Sequence, residues 1–164
     1  HCIPIDPFYL TWKAKEYGLS TKFIELAGEI NNSMPDYVIS KTSNALNDLS
    51  KSIKGSKILI IGIAYKKNID DLRESPALKI IEKLLQKGAK VSFNDPYISE
   101  IPKMRNHDIS LKSIEISPDI LKTFDVTLLI TDHDIYEYEV IETYSNLLID
   151  TRGRCTASSK VIYA

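Results

Sequence analysis

The sequence predicts an α/β fold, a doubly wound parallel sheet preceded by a long helical segment, and three observations carry that prediction. From residue 55 onward, short apolar runs alternate with amphipathic stretches, the pattern of βαβ units. The runs Ile58-Leu59-Ile60-Ile61 and Val126-Thr127-Leu128-Leu129-Ile130 are almost continuously apolar, as strands covered on both faces are. Over 21–49, by contrast, apolar residues recur at helical spacing.

Taken in order, Asp6-Pro7 can cap and open a first helix that runs to Tyr17, where Gly18 ends it. The long helix over 21–49 carries Phe23, Ile24, Leu26, Ala27 and Ile30, then Tyr37, Val38, Ile39, Ala45, Leu46 and Leu49. Pro35 removes a backbone donor and crowds the preceding turn, so a kink or break is predicted near 32–35. Strands are predicted over 57–62, 90–93, 126–130 and 147–150, with a weaker one over 160–163. Helices fit 76–87, 118–124 and 136–144. Short connections and right-handed crossovers then place helices on both faces of the sheet. The chain divides into a helical region, 1–54, and a sheet domain, 55–164.

Composition narrows the function. At 164 residues the chain can bury a real core as one domain with an appended element. The balance of 21 basic against 22 acidic residues leaves no global field to draw nucleic acid or an anionic membrane. The nine tyrosines are scattered rather than grouped as a stacking platform, which also argues against nucleic acid. No apolar run reaches membrane-spanning length, and no signal-peptide pattern is present. Two cysteines far apart, Cys2 and Cys155, form no disulfide framework, which suits a reducing, cytoplasmic setting. The opening His1-Cys2-Ile3-Pro4, without an initiator Met, reads as the start of a piece of a longer protein.

The chemistry concentrates between the first strand and the helix at 76. Gly62 turns the chain, Lys66, Lys67 and Arg73 follow, and Ser75-Pro76 is suited to N-cap and first helical turn. In an open α/β sheet ligands sit outside the carboxyl ends of the strands, and a helix N-terminus offers free N–H groups to an anion. Strand, turn, cationic loop and helix start together describe a phosphate or diphosphate site, although a solvated cationic loop has the same composition. A dinucleotide site would need G-x-G-x-x-G here, and only Gly62 is present. Asp95, in the turn Asn94-Asp95-Pro96, reads as a turn or cap residue. His133, in Thr131-Asp132-His133-Asp134, has no second His or Cys at ligand spacing, so no metal is expected. His107 lies in a polar stretch and is expected at the surface.

The segment Gly62 to Ser75, with Ala64, Tyr65, Lys66, Asp71 and Arg73 at fixed offsets, resembles G-x-A-[FY]-K-x-x-x-x-D-x-R-x-S of the UDP-glucose/GDP-mannose dehydrogenases. The first ten residues resemble the segment that carries this family's catalytic cysteine. Residues 11–19 and 25–31 are similar to its UDP-N-acetylglucosamine 6-dehydrogenase branch. Ile5, where many members have lysine, agrees with the N-acetylated-sugar branch.

The resemblance implies an NAD-dependent oxidation of the C6 alcohol of a UDP-N-acetyl-hexosamine, UDP-N-acetylglucosamine first among them, to the acid, for surface polysaccharide. It implies that Cys2 is the nucleophile, passing through a thiohemiacetal and a thioester. Asp6 would assist proton transfer and orient water, and it serves equally as a helix cap. Tyr65 and Lys66 would reach the UDP-sugar. Arg152, beyond the last main strand, would offer a planar fork to phosphate oxygens. Arg73 is the motif arginine, and an ion pair with Asp70, Asp71 or Glu74 fits it as well as ligand contact. NAD would be bound mainly by a domain upstream of His1, and the long helix would form a homodimer. The alternative is a non-catalytic nucleotide-binding or interaction domain of the same Rossmann-like shape.

Overall fold

The apolar runs become a five-stranded parallel sheet in a computed structural model that describes residues 2, 5–104 and 107–164. The strands are β1 (Lys57–Ile61), β2 (Lys90–Asn94), β3 (Val126–Leu129), β4 (Leu148–Asp150) and β5 (Val161–Tyr163). Their order is β2-β1-β3-β4-β5, every neighbouring pair parallel. The order reverses between β1 and β3, the switch point at which open sheets of this kind bind ligands.

Period-two geometry explains why the strands lack polar alternation. Ile58 and Ile60 of β1 enter a core shared with helices α2 (Lys22–Asp48) and α3 (Pro76–Gln86). Leu59 and Ile61 enter the opposite core, which Leu121 of α4 (Pro118–Leu121) and Ile141 of α5 (Tyr138–Tyr144) complete. Both faces are covered, and each fully buried Ile or Leu is worth about 1.5–3 kcal/mol.

α1 (Asp6–Glu16) starts one residue earlier than a cap at Asp6 would require. Ile5 holds the cap position, no side chain caps it, and the Cys2 carbonyl accepts from the Ile5 and Asp6 amides at 3.0 and 2.8 Å. Asp6 therefore lies in the first turn, where its charge still favours the helix end. Thr21 Oγ donates to Thr11 Oγ at 2.9 Å, and the Phe8 ring lies where a Cβ on Gly28 would sit, so α1 folds back on α2.

α2 runs unbroken through Pro35, so of the predicted kink or break the break does not occur. The carbonyl that Pro35 cannot serve belongs to Asn31, an exposed residue, where water can take the place of the missing donor. Beyond Pro35, Val38, Ile39, Ala45 and Leu46 pack into the sheet core. Before it, Phe23 is 89 % exposed, and Leu26 and Ile30 are also uncovered.

His107 is half-buried rather than at the surface, its Nδ1 2.9 Å from Glu82 Oε1 of α3 but not aligned for a hydrogen bond. The polar stretch folds back over α3, a contact that local composition does not encode. No helix among the described residues is long and apolar enough to cross a membrane.

Candidate functional site

Three loops meet at the carboxyl edge of the sheet: those after β1, β3 and β4. Gly62 ends β1 with φ +74°, and a Cβ there would lie 2.1 Å from the Thr131 carbonyl oxygen, so only glycine lets the β1 and β3 ends touch. Thr131 Oγ donates to the Ala64 carbonyl at 2.6 Å. Ser75 caps α3 as its sequence suggests, accepting from the Ala77 amide, and its hydroxyl donates to the Ile63 carbonyl at 2.7 Å. The loop is thus fastened at its start and at its end.

Asp95 does more than close its own turn. Its Oδ1 accepts from the Tyr97 amide at 2.9 Å, while Oδ2 accepts from Ile63 and Ala64 amides at 2.7 and 3.1 Å and meets His133 Nε2 at 3.0 Å. Burial pushes this carboxyl's pKa up, but the hydrogen bonds from His133 and from the Ile63 and Tyr97 amides outweigh it and hold it below the ordinary value. These are the β1-turn amides to which a dinucleotide's pyrophosphate would bind. With Asp95 on them and a single glycine in the turn, the residues here do not fit NAD.

A cavity of about 440 Å³ opens between α2 and the sheet edge, lined by Asn31 and Asn32 of α2 and by Tyr65, Lys66, Glu74, Lys79, Thr131 and Arg152 among others. Its wall carries three cations, Lys66, Lys79 and Arg152, against one carboxylate, Glu74. A second hollow of about 450 Å³ shares Lys66 and Arg152 and adds Lys67, Asp132 and Thr151. A third, of about 290 Å³ between α1 and α2, shares Asn31 and Asn32 and is otherwise mostly apolar. Through those shared residues the three adjoin in series, and together they are called the trough, cationic at its centre and apolar at the α1 end. Such a trough can hold a diphosphate with an uncharged group beyond it.

Arg152 owes its place to buried Asp150, whose carboxylate accepts from four successive amides, Arg152, Gly153, Arg154 and Cys155, at 2.7–2.9 Å. Asp132, after β3, accepts from Arg152 Nε at 3.1 Å, and Arg152 lines both cationic hollows. Lys66 meets no carboxylate among the described residues, and its ammonium lies 5.8 Å from the Tyr65 ring centre.

Of the residues singled out from sequence, Tyr65, Lys66 and Arg152 come together in the trough. Arg73 does not line it; it is exposed and forks onto Asp71 through Nε and Nη2 at 3.1 and 2.7 Å. Lys67 is held by Asp134 at 3.1 Å. Cys2 and Asp6 are exposed and lie outside the trough wall, although Pro7 and Phe8 line its α1 end. His1, Ile3 and Pro4 of the opening motif lie outside the described residues. Sequence reasoning missed Asn31, Asn32, Asn68 and His133. Asn68 has φ +63°, donates its amide to His133 Nδ1 at 2.9 Å, and exchanges two hydrogen bonds with Asp134. The one signal was position: His133 follows the strand that borders β1 across the switch point. Among the described residues no group of three or more His, Cys, Asp or Glu is placed to hold a metal ion.

A doubly wound sheet with a cationic trough at its switch point defines a domain for a phosphorylated ligand. Residues 59–157 match the UDP-glucose/GDP-mannose dehydrogenase family, UDP binding domain, and the chain belongs to that family. It is 32 % identical over 162 residues to a UDP-N-acetyl-D-mannosamine dehydrogenase of Methanocaldococcus jannaschii, covering 99 % of this chain and 34 % of that protein. It is 32 % identical over 161 residues to an NDP-N-acetyl-D-galactosaminuronic acid dehydrogenase of Ralstonia solanacearum, covering 96 % and 35 %. Among solved structures, a UDP-D-ManNAc dehydrogenase of Pyrococcus horikoshii superposes with TM-score 0.78 at 26 % identity, covering 99 % of this chain and 37 % of that one. The chain thus spans about a third of the length of the curated relatives it matches.

Proposed function

We propose that this chain is the UDP-sugar half-site and catalytic-cysteine segment of a cytoplasmic, NAD-dependent UDP-N-acetyl-hexosamine 6-dehydrogenase that serves surface polysaccharide synthesis. The observation that carries this reading is the convergence of Lys66 and Arg152, from loops after β1 and β4, on one trough in a domain of the UDP-binding family. Their charges suit the two phosphates, with Tyr65 beside them. Asn31 and Asn32 stand between that cationic centre and the α1 end of the trough. Asp6 opens the helix that borders that end, and Cys2 lies four residues before it. There the Cys2 thiolate adds to the aldehyde-level sugar carbon while Asp6 moves the proton. Arg73, paired with Asp71, stands outside the trough wall.

The relatives quoted above bear the names of N-acetyl-mannosamine and N-acetyl-galactosaminuronic acid, so UDP-N-acetyl-mannosamine stands ahead of UDP-N-acetylglucosamine as substrate. NAD belongs to another part of the protein, because the β1 turn here is closed by Asp95. The uncovered apolar face of α1 and the first half of α2 supports a homodimer. Calorimetry at low salt tests the central claim: UDP binds, and Lys66→Ala or Arg152→Ala each weakens it by about 1–3 kcal/mol, the scale of a charge-assisted hydrogen bond. Equal binding by both variants removes the site. Turnover of the whole protein over a panel of UDP-sugars, followed by NADH, decides the sugar, and this chain alone forms no NADH.

A further inference from the structure

His133 is completely buried, yet it is not part of the trough wall. Both of its ring nitrogens are engaged, Nδ1 by the Asn68 amide at 2.9 Å and Nε2 by Asp95 Oδ2 at 3.0 Å. A backbone N–H can only donate, so the nitrogen facing Asn68 carries a lone pair and the ring proton sits on Nε2, pointing at Asp95. The partners fix one neutral tautomer. The Tyr97 and Tyr136 rings pack against the imidazole at 5.1 and 5.6 Å between centres, and the Tyr138 hydroxyl donates to the His133 carbonyl at 2.6 Å. Water has little access, and the ring has little room to turn.

What this pair holds is the backbone on either side of Lys66. Asp95 grips the Ile63 and Ala64 amides before it, and His133 grips the Asn68 amide after it. Asn68 has a left-handed φ, +63°, a conformation open to asparagine, and hydrogen bonds to His133 and Asp134 hold it there. Between the two grips, Tyr65 and Lys66 are presented to the trough. A core pair that served packing alone would have no need of three amides from a single loop.

We propose that Asp95 and His133 form a positioning pair for the anion site, placing the Lys66 ammonium through the backbone of its loop; this rests on reading the trough as the UDP subsite. His133 touches no ligand itself. Removing its acceptor frees the Asn68 amide, lets the left-handed residue relax, and moves Lys66 off the phosphate.

The test is a double-mutant cycle on this chain with UDP as the titrant, because a positioning role and a merely structural one differ in coupling. His133→Phe and Lys66→Ala each weaken UDP about tenfold, and the double variant is no more than about twofold weaker than Lys66→Ala alone. His133→Asn, which keeps an acceptor for Asn68, regains affinity over His133→Phe. Losses that multiply in the double variant overturn the proposal while leaving the UDP site standing. Absence of UDP binding by the unaltered chain overturns both. Should His133→Phe not fold, the His133→Asn cycle and the nitrogen-15 spectrum of the unaltered imidazole decide. An unprotonated Nδ1 coupled to the Asn68 amide supports the pair, and a proton on Nδ1 overturns it.

Discussion

Two halves of one helix meet different fates. From Pro35 onward α2 buries Val38, Ile39, Ala45 and Leu46 against α3 and the sheet, whereas before Pro35 it leaves Phe23, Leu26 and Ile30 in the open. Tyr9, Leu10 and Trp12 of α1 are exposed as well. The periodicity is equally helical on both sides of Pro35. Amphipathic spacing therefore marks a face without stating what covers it: one half is covered within the chain, the other is left open.

The largest effect that sharpens this contrast is on folding. Leu46→Ala should lower stability by about 2–5 kcal/mol in urea denaturation, because it opens a cavity in a closed core. Phe23→Ser should change the stability of a single chain by no more than about 0.5 kcal/mol, as exposed sites do. Combined with Leu26→Ser, it should instead shift the mass in light scattering from dimer to monomer. A monomeric unaltered chain would break the comparison.

Acid probes the sheet half selectively. The pKa of Asp95 is depressed in the folded state, so its contribution is fully present above the ordinary carboxylate value of about 4 and is lost as pH falls through the lower folded value. Melting temperature should therefore fall below about pH 4, and Asp95→Asn should flatten that part of the profile while lowering stability at neutral pH by about 1–3 kcal/mol.

The two thiols give the smallest test, with no change in fold. Burial first, then the charges of Asp150 and Glu142, push Cys155 up to about 11, whereas Cys2 is exposed. At about pH 8 a thiol reagent should modify Cys2 and leave Cys155 untouched until urea is added. Rapid modification of both would mean that the sheet half is looser than its burial implies.

What could be read from the sequence follows the same line between local and distant causes. β1 to β5 lie within one residue of the predicted strand ends, and Ser75 caps α3, because apolar runs and caps are local signals. Pro35 reads as a kink or break, and the helix is nonetheless unbroken, since the sequence does not say that Asn31 lies on an exposed face. Lys66 and Lys67 look alike in sequence; only Asp134, 67 residues on from Lys67, separates the paired lysine from the available one. His133 looked uninformative because its partners, Asp95 and Asn68, lie 38 and 65 residues away.

The missing side chain at Gly62 has a reach well beyond its own turn. Because no side chain stands between that glycine and the Thr131 carbonyl, the chain leaving β1 runs directly against the chain leaving β3. Lys66 lies in the loop after β1, and Arg152 is tied to Asp132, one residue past Thr131 in the loop after β3. Gly62 is in effect a calliper, fixing the gap between two cations by the absence of a methyl group. Any side chain there would act as a wedge, re-spacing the charges without touching either of them.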